Sequence, residues 1–157
     1  DRYPQARFQL LGFLDVENPG AIARETMSQW EEEGIVEYMG TTDDVRSCIA
    51  ESDCVVLPSA YGEGTPRALL AAAAMGRPLI TSHTPGCRDT VEEGVSGFLC
   101  TPESTDSLRS VMETFLALTP VERGGMGARG GEKMEREFDQ ALVVAAYRKE
   151  IAARCSS

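Results

Sequence analysis

The sequence predicts an α/β protein built on a parallel, doubly wound sheet. Short apolar, β-branched runs bounded by turn formers, of which Asp53–Leu57 is the clearest, read as strands. A continuous apolar run of this kind suits a parallel strand covered on both faces. Between such runs lie segments with apolar residues at helical spacing, and strands alternating with helices give parallel crossover units. The 157 residues suit one domain able to bury a core.

Asp1–Pro4 is a lead-in, and Ala6–Gly12 (ARFQLLG) is the first expected strand. Asn18-Pro19 opens a helix to about Glu33, with Ile22, Met27 and Trp30 on its buried side and Gly34 stopping it. Ile35–Gly40 is a second strand. Thr42-Asp43-Asp44 caps a short helix to Ala50, on which Val45 and Ile49 face inward. After Asp53–Leu57, Pro58–Gly64 cannot continue the ladder, because proline and glycines break it. Thr65-Pro66 starts the next helix: threonine caps the free amides and proline fits the first helical position. Ala68–Met75 supplies strong helix formers.

Pro78–Thr81 is a strand, Thr84-Pro85-Gly86 a turn, Cys87–Glu93 a short helix ended by Gly94, and Gly97–Cys100 the last strand. Thr105–Leu118 places Leu108, Val111, Met112, Phe115 and Leu116 at helical spacing, which is a packing stripe. Pro120–Phe138 reads as a helix interrupted at Gly124, Gly125, Gly127, Gly130 and Gly131. Each interior glycine costs about 0.5–1 kcal/mol relative to alanine, so this helix is expected to be broken or mobile. Asp139 caps a final helix to about Ala153.

Charge and cysteine usage exclude several functions. With 25 acidic against 15 basic side chains the net charge is −10, which repels nucleic acid and anionic lipid. Five cysteines without C-x-x-C or metal-ligand spacing read as reduced thiols in a cytoplasmic protein. His83 is the only histidine, so a His-rich metal site is out, and no acid–base work falls to it. No stretch is long and apolar enough to span a bilayer, and the start resembles no signal peptide.

Chemistry concentrates where Asp53–Leu57 hands over to its helix. Free amides and the positive helix end meet there beside one carboxylate, Glu63, which makes the joint an anion site. The amides of Gly64 and Thr65 and the helix start at Pro66 suit a diphosphate, and Arg67 could reach it or pair with a surface acid. Ser59 suits a nucleotide contact or a local turn bond. Tyr61 suits stacking on a sugar face or covering a core edge. Thr84, Pro85 and Gly86 follow the next strand on the same carboxyl-end rim; Pro85 and Gly86 are counted as contacts, with simple turn chemistry as the alternative. Arg88 and Asp89 are expected to pair with each other or with neighbours. Cys87 and Cys100 read as small core residues.

Three blocks carry a family resemblance. S-x-x-x-E-G-x-P-x-x-L-L falls on Ser59, Glu63, Gly64, Pro66, Leu69 and Leu70. A-x-G-x-P-L-I and P-G-C-R-D-T-V-x-x-G-x-x-G-F-L follow, with Gly76, Pro78, Pro85, Gly86, Gly94 and Gly97. In this order they resemble the C-terminal domain of family 4 retaining glycosyltransferases, and nearly repeat segments of the bacterial enzymes that extend lipid-linked sugars. The resemblance implies the donor-binding, Rossmann-like half of a GT-B fold. It also implies a nucleoside diphosphate sugar, most plausibly UDP-linked, as donor, a glycan or lipid-linked acceptor, and no bound metal. Glu63 takes the donor-sugar role. A second glutamate, which the family sets on the ribose hydroxyls, is replaced by Ala71. That loss removes hydrogen bonds worth about 1.5–3 kcal/mol each.

In the family this domain opens with a strand and a basic loop ahead of the segment equivalent to Ala6–Gly12, and a separate N-terminal domain holds the acceptor. The chain is therefore expected to be a fragment lacking that first strand and inactive alone. Its longer enzyme is expected at the cytoplasmic face of a membrane that this domain does not touch. A non-catalytic nucleotide-sugar-binding or scaffold domain is the competing reading, favoured by Ala71. A nucleotide-sugar epimerase is argued against by the G-T-P-R-x-L-L block.

Overall fold

A computed structural model describes residues 3–14, 21–62 and 64–155. The chain divides into two compact units, Asp1–Val45 and Arg46–Ser157.

In the first unit, β1 (Gln9–Leu10) pairs in parallel with β2 (Glu37–Tyr38), with Gln9 opposite Glu37. Both strands are shorter than their apolar runs suggest. The Tyr38 hydroxyl donates to Gly12 O at 2.7 Å and ties the strand ends together. Between them runs α1 (Arg24–Glu32), with Met27 buried, Ile22 and Trp30 half-buried, and Gly34 at φ +68° closing its end. The Asn18-Pro19 start expected for this helix lies outside the described residues.

The second unit holds three parallel strands in the order β3 (Val55–Leu57), β4 (Leu79–Ser82), β5 (Gly97–Cys100). The sequence pointed to β3 as the strand covered on both faces. It is instead an edge strand of this sheet, with Val56 37% exposed. The buried centre is β4, where all four residues are inaccessible. Flanked on both sides, β4 must satisfy its backbone within the sheet, and the β-branched Ile80 and Thr81 fit that setting.

Helix α2 (Val45–Glu51) buries Ile49 but leaves Val45 39% exposed, so only one of the two residues expected inside is there. Helix α3 (Arg67–Ala74) crosses from β3 to β4 and sends Leu69, Ala72 and Ala73 into a core shared with Ile49, Leu79, Cys87, Val91 and Met134. The expected helix over Cys87–Glu93 shrinks to one 3₁₀ turn, Arg88–Thr90, because Thr90 Oγ1 turns back to Cys87 O at 2.7 Å and Val91 is already extended. Helix α4 (Thr105–Leu116) starts one residue after Ser104, whose hydroxyl accepts from Ser107 N. Phe115 is the buried member of its stripe.

The glycine-rich segment corrects the sequence reading. Pro120–Glu137 is one continuous helix, α5, opened by a reciprocal capping box between Thr119 and Glu122. Gly127 lies so close to the end of α3 that a Cβ there would stand 1.9 Å from Gly76 O. Gly130 is buried against Ala73 and Ser96. The glycines that weaken α5 as an isolated helix let it approach α3 and β5, and packing outweighs propensity. Arg123 lies over the Phe115 ring at 4.9 Å. Asp139 Oδ1 accepts from Ala141 N at 2.8 Å and opens α6 (Gln140–Cys155). Among the described residues no helix is long and apolar enough to cross a membrane.

Candidate functional site

The carboxyl ends of β3 and β4 build one rim within the second unit. Leu57 and Thr81 stand opposite in register, and Thr81 Oγ1 donates to Leu57 O at 2.7 Å, which locks the two strand ends level. Two loops leave this edge, residues 58–66 toward α3 and 83–87 toward the 3₁₀ turn. They meet: a Cβ placed on Gly62 would lie 3.6 Å from Pro85 Cδ.

The first loop is shaped by its own polar groups. Ser59 N donates to Leu57 O at 3.0 Å, and Ser59 Oγ donates to Tyr61 O at 3.1 Å, so the hydroxyl serves the turn. Tyr61 is 74% exposed at the loop tip. Glu63, the central residue of the sequence argument, lies outside the described residues. Gly64 is exposed, and Thr65 and Pro66 are half-buried.

The helix start differs by one residue from the sequence expectation. Pro66, at φ −64° and ψ 128°, is the N-cap itself, with no side-chain cap, and the helix runs from Arg67. Proline's fixed φ suits either position; the extended ψ puts it outside the helix, and Thr65 one residue too early to cap. Pro66 O accepts from Leu69 N at 3.1 Å and from Leu70 N at 3.2 Å. The amides of Arg67 and Ala68 have no acceptor among the described residues. They are the donors that a helix start leaves open, and they carry the positive end of its dipole. The Arg67 side chain is exposed on this first turn. Ala71, one turn on, is half-buried and packs against the core cluster.

The second loop is tighter. His83 N donates to Cys100 O, and Thr84 N to Ser82 O, both at 2.8 Å. His83 and Pro85 are exposed. Gly86 is buried at φ +82°, a conformation that costs glycine nothing, and its N donates to Asp89 Oδ2 at 3.2 Å. Arg88 Nε and Asp89 Oδ1 form the expected pair, at 3.7 Å. Thr84 is 5% exposed, and its Oγ1 has no hydrogen-bond partner. Sequence reading placed Thr84 on the rim without singling it out, because no residue pattern signals an unpaired hydroxyl.

Cys87 and Cys100 are buried as expected. Burial pushes the Cys54 thiol up to about 12 despite the nearby positive charge of Arg123, so it stays protonated and is no nucleophile. Among the described residues no three His, Cys, Asp or Glu side chains gather to hold a metal.

The rim therefore brings Gly64, Thr65, Pro66 and Arg67 to one helix mouth and sets Pro85 beside the Gly62 turn, with Gly86 next in that loop. Ser59 is turned inward to its own loop, and Ala71 lies one turn behind. Backbone amides left open at a helix start are donors of the kind that anions accept.

Comparison with known proteins extends this picture. Residues 1–117 match the family described as glycosyl transferases group 1. A putative colanic acid biosynthesis glycosyltransferase of Escherichia coli (strain K12) is 28% identical over 144 residues, covering 87% of this chain and 35% of the relative. The N,N'-diacetylbacillosaminyl-diphospho-undecaprenol alpha-1,3-N-acetylgalactosaminyltransferase of Campylobacter jejuni is 27% identical over 146 residues, covering 92% of this chain and 36% of the relative. The chain thus spans about a third of the length of these curated relatives. The crystal structure of Anabaena Alr3699/HepE in complex with UDP superposes with a TM-score of 0.83 at 22% identity, over 96% of this chain and 42% of that one.

Proposed function

The chain belongs to the group 1 glycosyl transferases, and from that premise we propose that it is the donor-binding part of a retaining transferase using a UDP-sugar. The sugar is a hexose or N-acetylhexosamine, passed to a glycan or lipid-linked acceptor in bacterial polysaccharide biosynthesis, at the cytoplasmic face of a membrane. The observation that carries the reading is the mouth of α3, where the Arg67 and Ala68 amides find no acceptor among the described residues.

Breaking the bond between sugar and diphosphate builds negative charge on the leaving UDP. Amides already aimed at a helix start stabilise that charge without reorganising. Gly64, lacking a side chain, lets phosphate approach the backbone, with Thr65 and Pro66 fixing the entry to the helix and Arg67 adding a mobile positive charge. No metal is assigned, since this dipole and cation carry the charge. Glu63 follows Gly62, which packs beside Pro85. Its carboxylate holds a sugar hydroxyl or offsets positive charge developing on the ring. Tyr61 covers the sugar face, Ser59 braces the loop under it, and Pro85 and Gly86 form the opposite wall. At Ala71 a methyl group meets the ribose side, so the ribose hydroxyls are held by water or neighbouring groups. Acceptor contacts come from an N-terminal domain of the longer protein.

Glu63→Ala in the full-length enzyme is expected to lower turnover about 100-fold with UDP affinity little changed, the pattern of an interaction made at the reacting sugar. An unchanged rate removes Glu63 from the mechanism. A scaffold domain without activity is the second reading, favoured by Ala71. Calorimetry separates the two, since a scaffold that has lost the site takes up neither UDP nor UDP-sugar.

A further inference from the structure

Among the described side chains of the rim, the Thr84 hydroxyl is buried without a hydrogen-bond partner. Thr84 lies two residues past the end of β4 and is only 5% exposed, yet Oγ1 reaches neither solvent nor any partner. Its backbone is fully used, with N donating to Ser82 O at 2.8 Å and O accepting from Arg88 N at 3.0 Å. Other buried hydroxyls nearby in sequence are engaged: Thr81 Oγ1 with Leu57 O, Ser82 Oγ with Cys100 Sγ, and Thr90 Oγ1 in the 3₁₀ turn with Cys87 O. Buried hydroxyls in folded proteins are nearly always paired, because leaving one unpaired forfeits its hydration. Valine has the same shape and carries no such penalty, so packing alone gives no reason for threonine here.

Position supplies a reason. The loop bearing Thr84 meets the loop that leads into α3, with Pro85 Cδ 3.6 Å from a Cβ placed on Gly62. Gly86, two residues on, stands at φ +82°, a turn that glycine makes without strain. We propose that Thr84 is a further binding residue for the nucleotide sugar: a small shift of residues 83–86 uncovers Oγ1, which then hydrogen-bonds to a diphosphate or sugar oxygen. The inference rests on the donor-site reading above and adds to it a residue and a movement. The unpaired hydroxyl weakens the fold slightly, and a hydrogen bond to donor offsets that loss.

The two states respond to one substitution in opposite directions. In the full-length protein, Thr84→Val is expected to raise the melting temperature without ligand and to weaken UDP-sugar binding by about 5–10-fold, the loss of one hydrogen bond. Thr84→Ser keeps the hydroxyl and is expected to bind within about twofold of wild type. Titration calorimetry with UDP and a UDP-sugar, beside thermal unfolding, reads both effects. Equal affinity of wild type and Thr84→Val overturns the inference and leaves the donor site standing. If wild type binds neither ligand, the donor-site reading and the inference fall together. Should Thr84→Val not fold, a crystal structure with UDP-sugar decides. Oγ1 at hydrogen-bond distance from the ligand supports the proposal, and Oγ1 still buried without contact overturns it.

Discussion

Replacing Gly127 by alanine separates two opposing effects of glycine in α5. A Cβ at this position would lie 1.9 Å from Gly76 O, 2.7 Å from the Gly76 carbonyl carbon and 3.2 Å from Pro78 Cδ. Two of these three atoms belong to backbone, and Gly76 itself is held at φ +69° where α3 ends. Neither side can yield by rotating a side chain, so α5 and the end of α3 must part by about 1 Å or more to regain normal contact. Overpacking of this kind costs about 1–3 kcal/mol, and alanine's better helix propensity returns about 1 kcal/mol. An overlap this deep belongs at the upper end, which leaves a net loss of about 2 kcal/mol. Gly124 is the control: exposed on the same helix, with nothing within 4 Å of its added Cβ. Gly124→Ala is expected to gain about 0.5–1 kcal/mol from propensity alone. Urea unfolding followed by circular dichroism compares the pair, and propensity cancels between them. Equal shifts, or a stabilising Gly127→Ala, would refute the close-packing account of this helix.

Two further outcomes follow from the site and its surroundings. Ala71→Glu restores an acid on the ribose side and is expected to tighten UDP binding several-fold by calorimetry; no gain would remove position 71 from nucleotide contact. Burial holds the Cys54 thiol protonated until about 12, against about 9 for a free thiol. Between these values the unfolded chain has released a proton that the folded chain keeps. The contribution is therefore complete below pH 9 and is lost as pH rises toward 12. Cys54→Ala is expected to flatten the fall in melting temperature across that window, and an unchanged slope would mean the thiol titrates freely.

The strand–helix alternation was readable because each apolar run is bounded by proline or glycine, and the joint at Pro58–Pro66 stood out for the same reason. Two features of the rim, a helix start near Pro66 and a turn at Pro85, follow from local chemistry that the residues declare. What the chain hides is relational. Whether a β-branched strand is central or at an edge depends on its neighbours, so Asp53–Leu57 looked buried while Leu79–Ser82 holds the centre. Glycines in a helix announce weakness locally, yet Gly127 and Gly130 are there because α3 and Ser96 come close in space. The unpaired Thr84 hydroxyl is likewise a property of its surroundings.

Backbone amide chemical shifts of the full-length protein during UDP titration address the α3 mouth most directly. The Arg67 and Ala68 resonances, with those of Gly64 and Thr65, are expected to shift most and to saturate together with a single dissociation constant. Saturable UDP binding that leaves these four amides unmoved while others respond would place the diphosphate elsewhere and contradict the account.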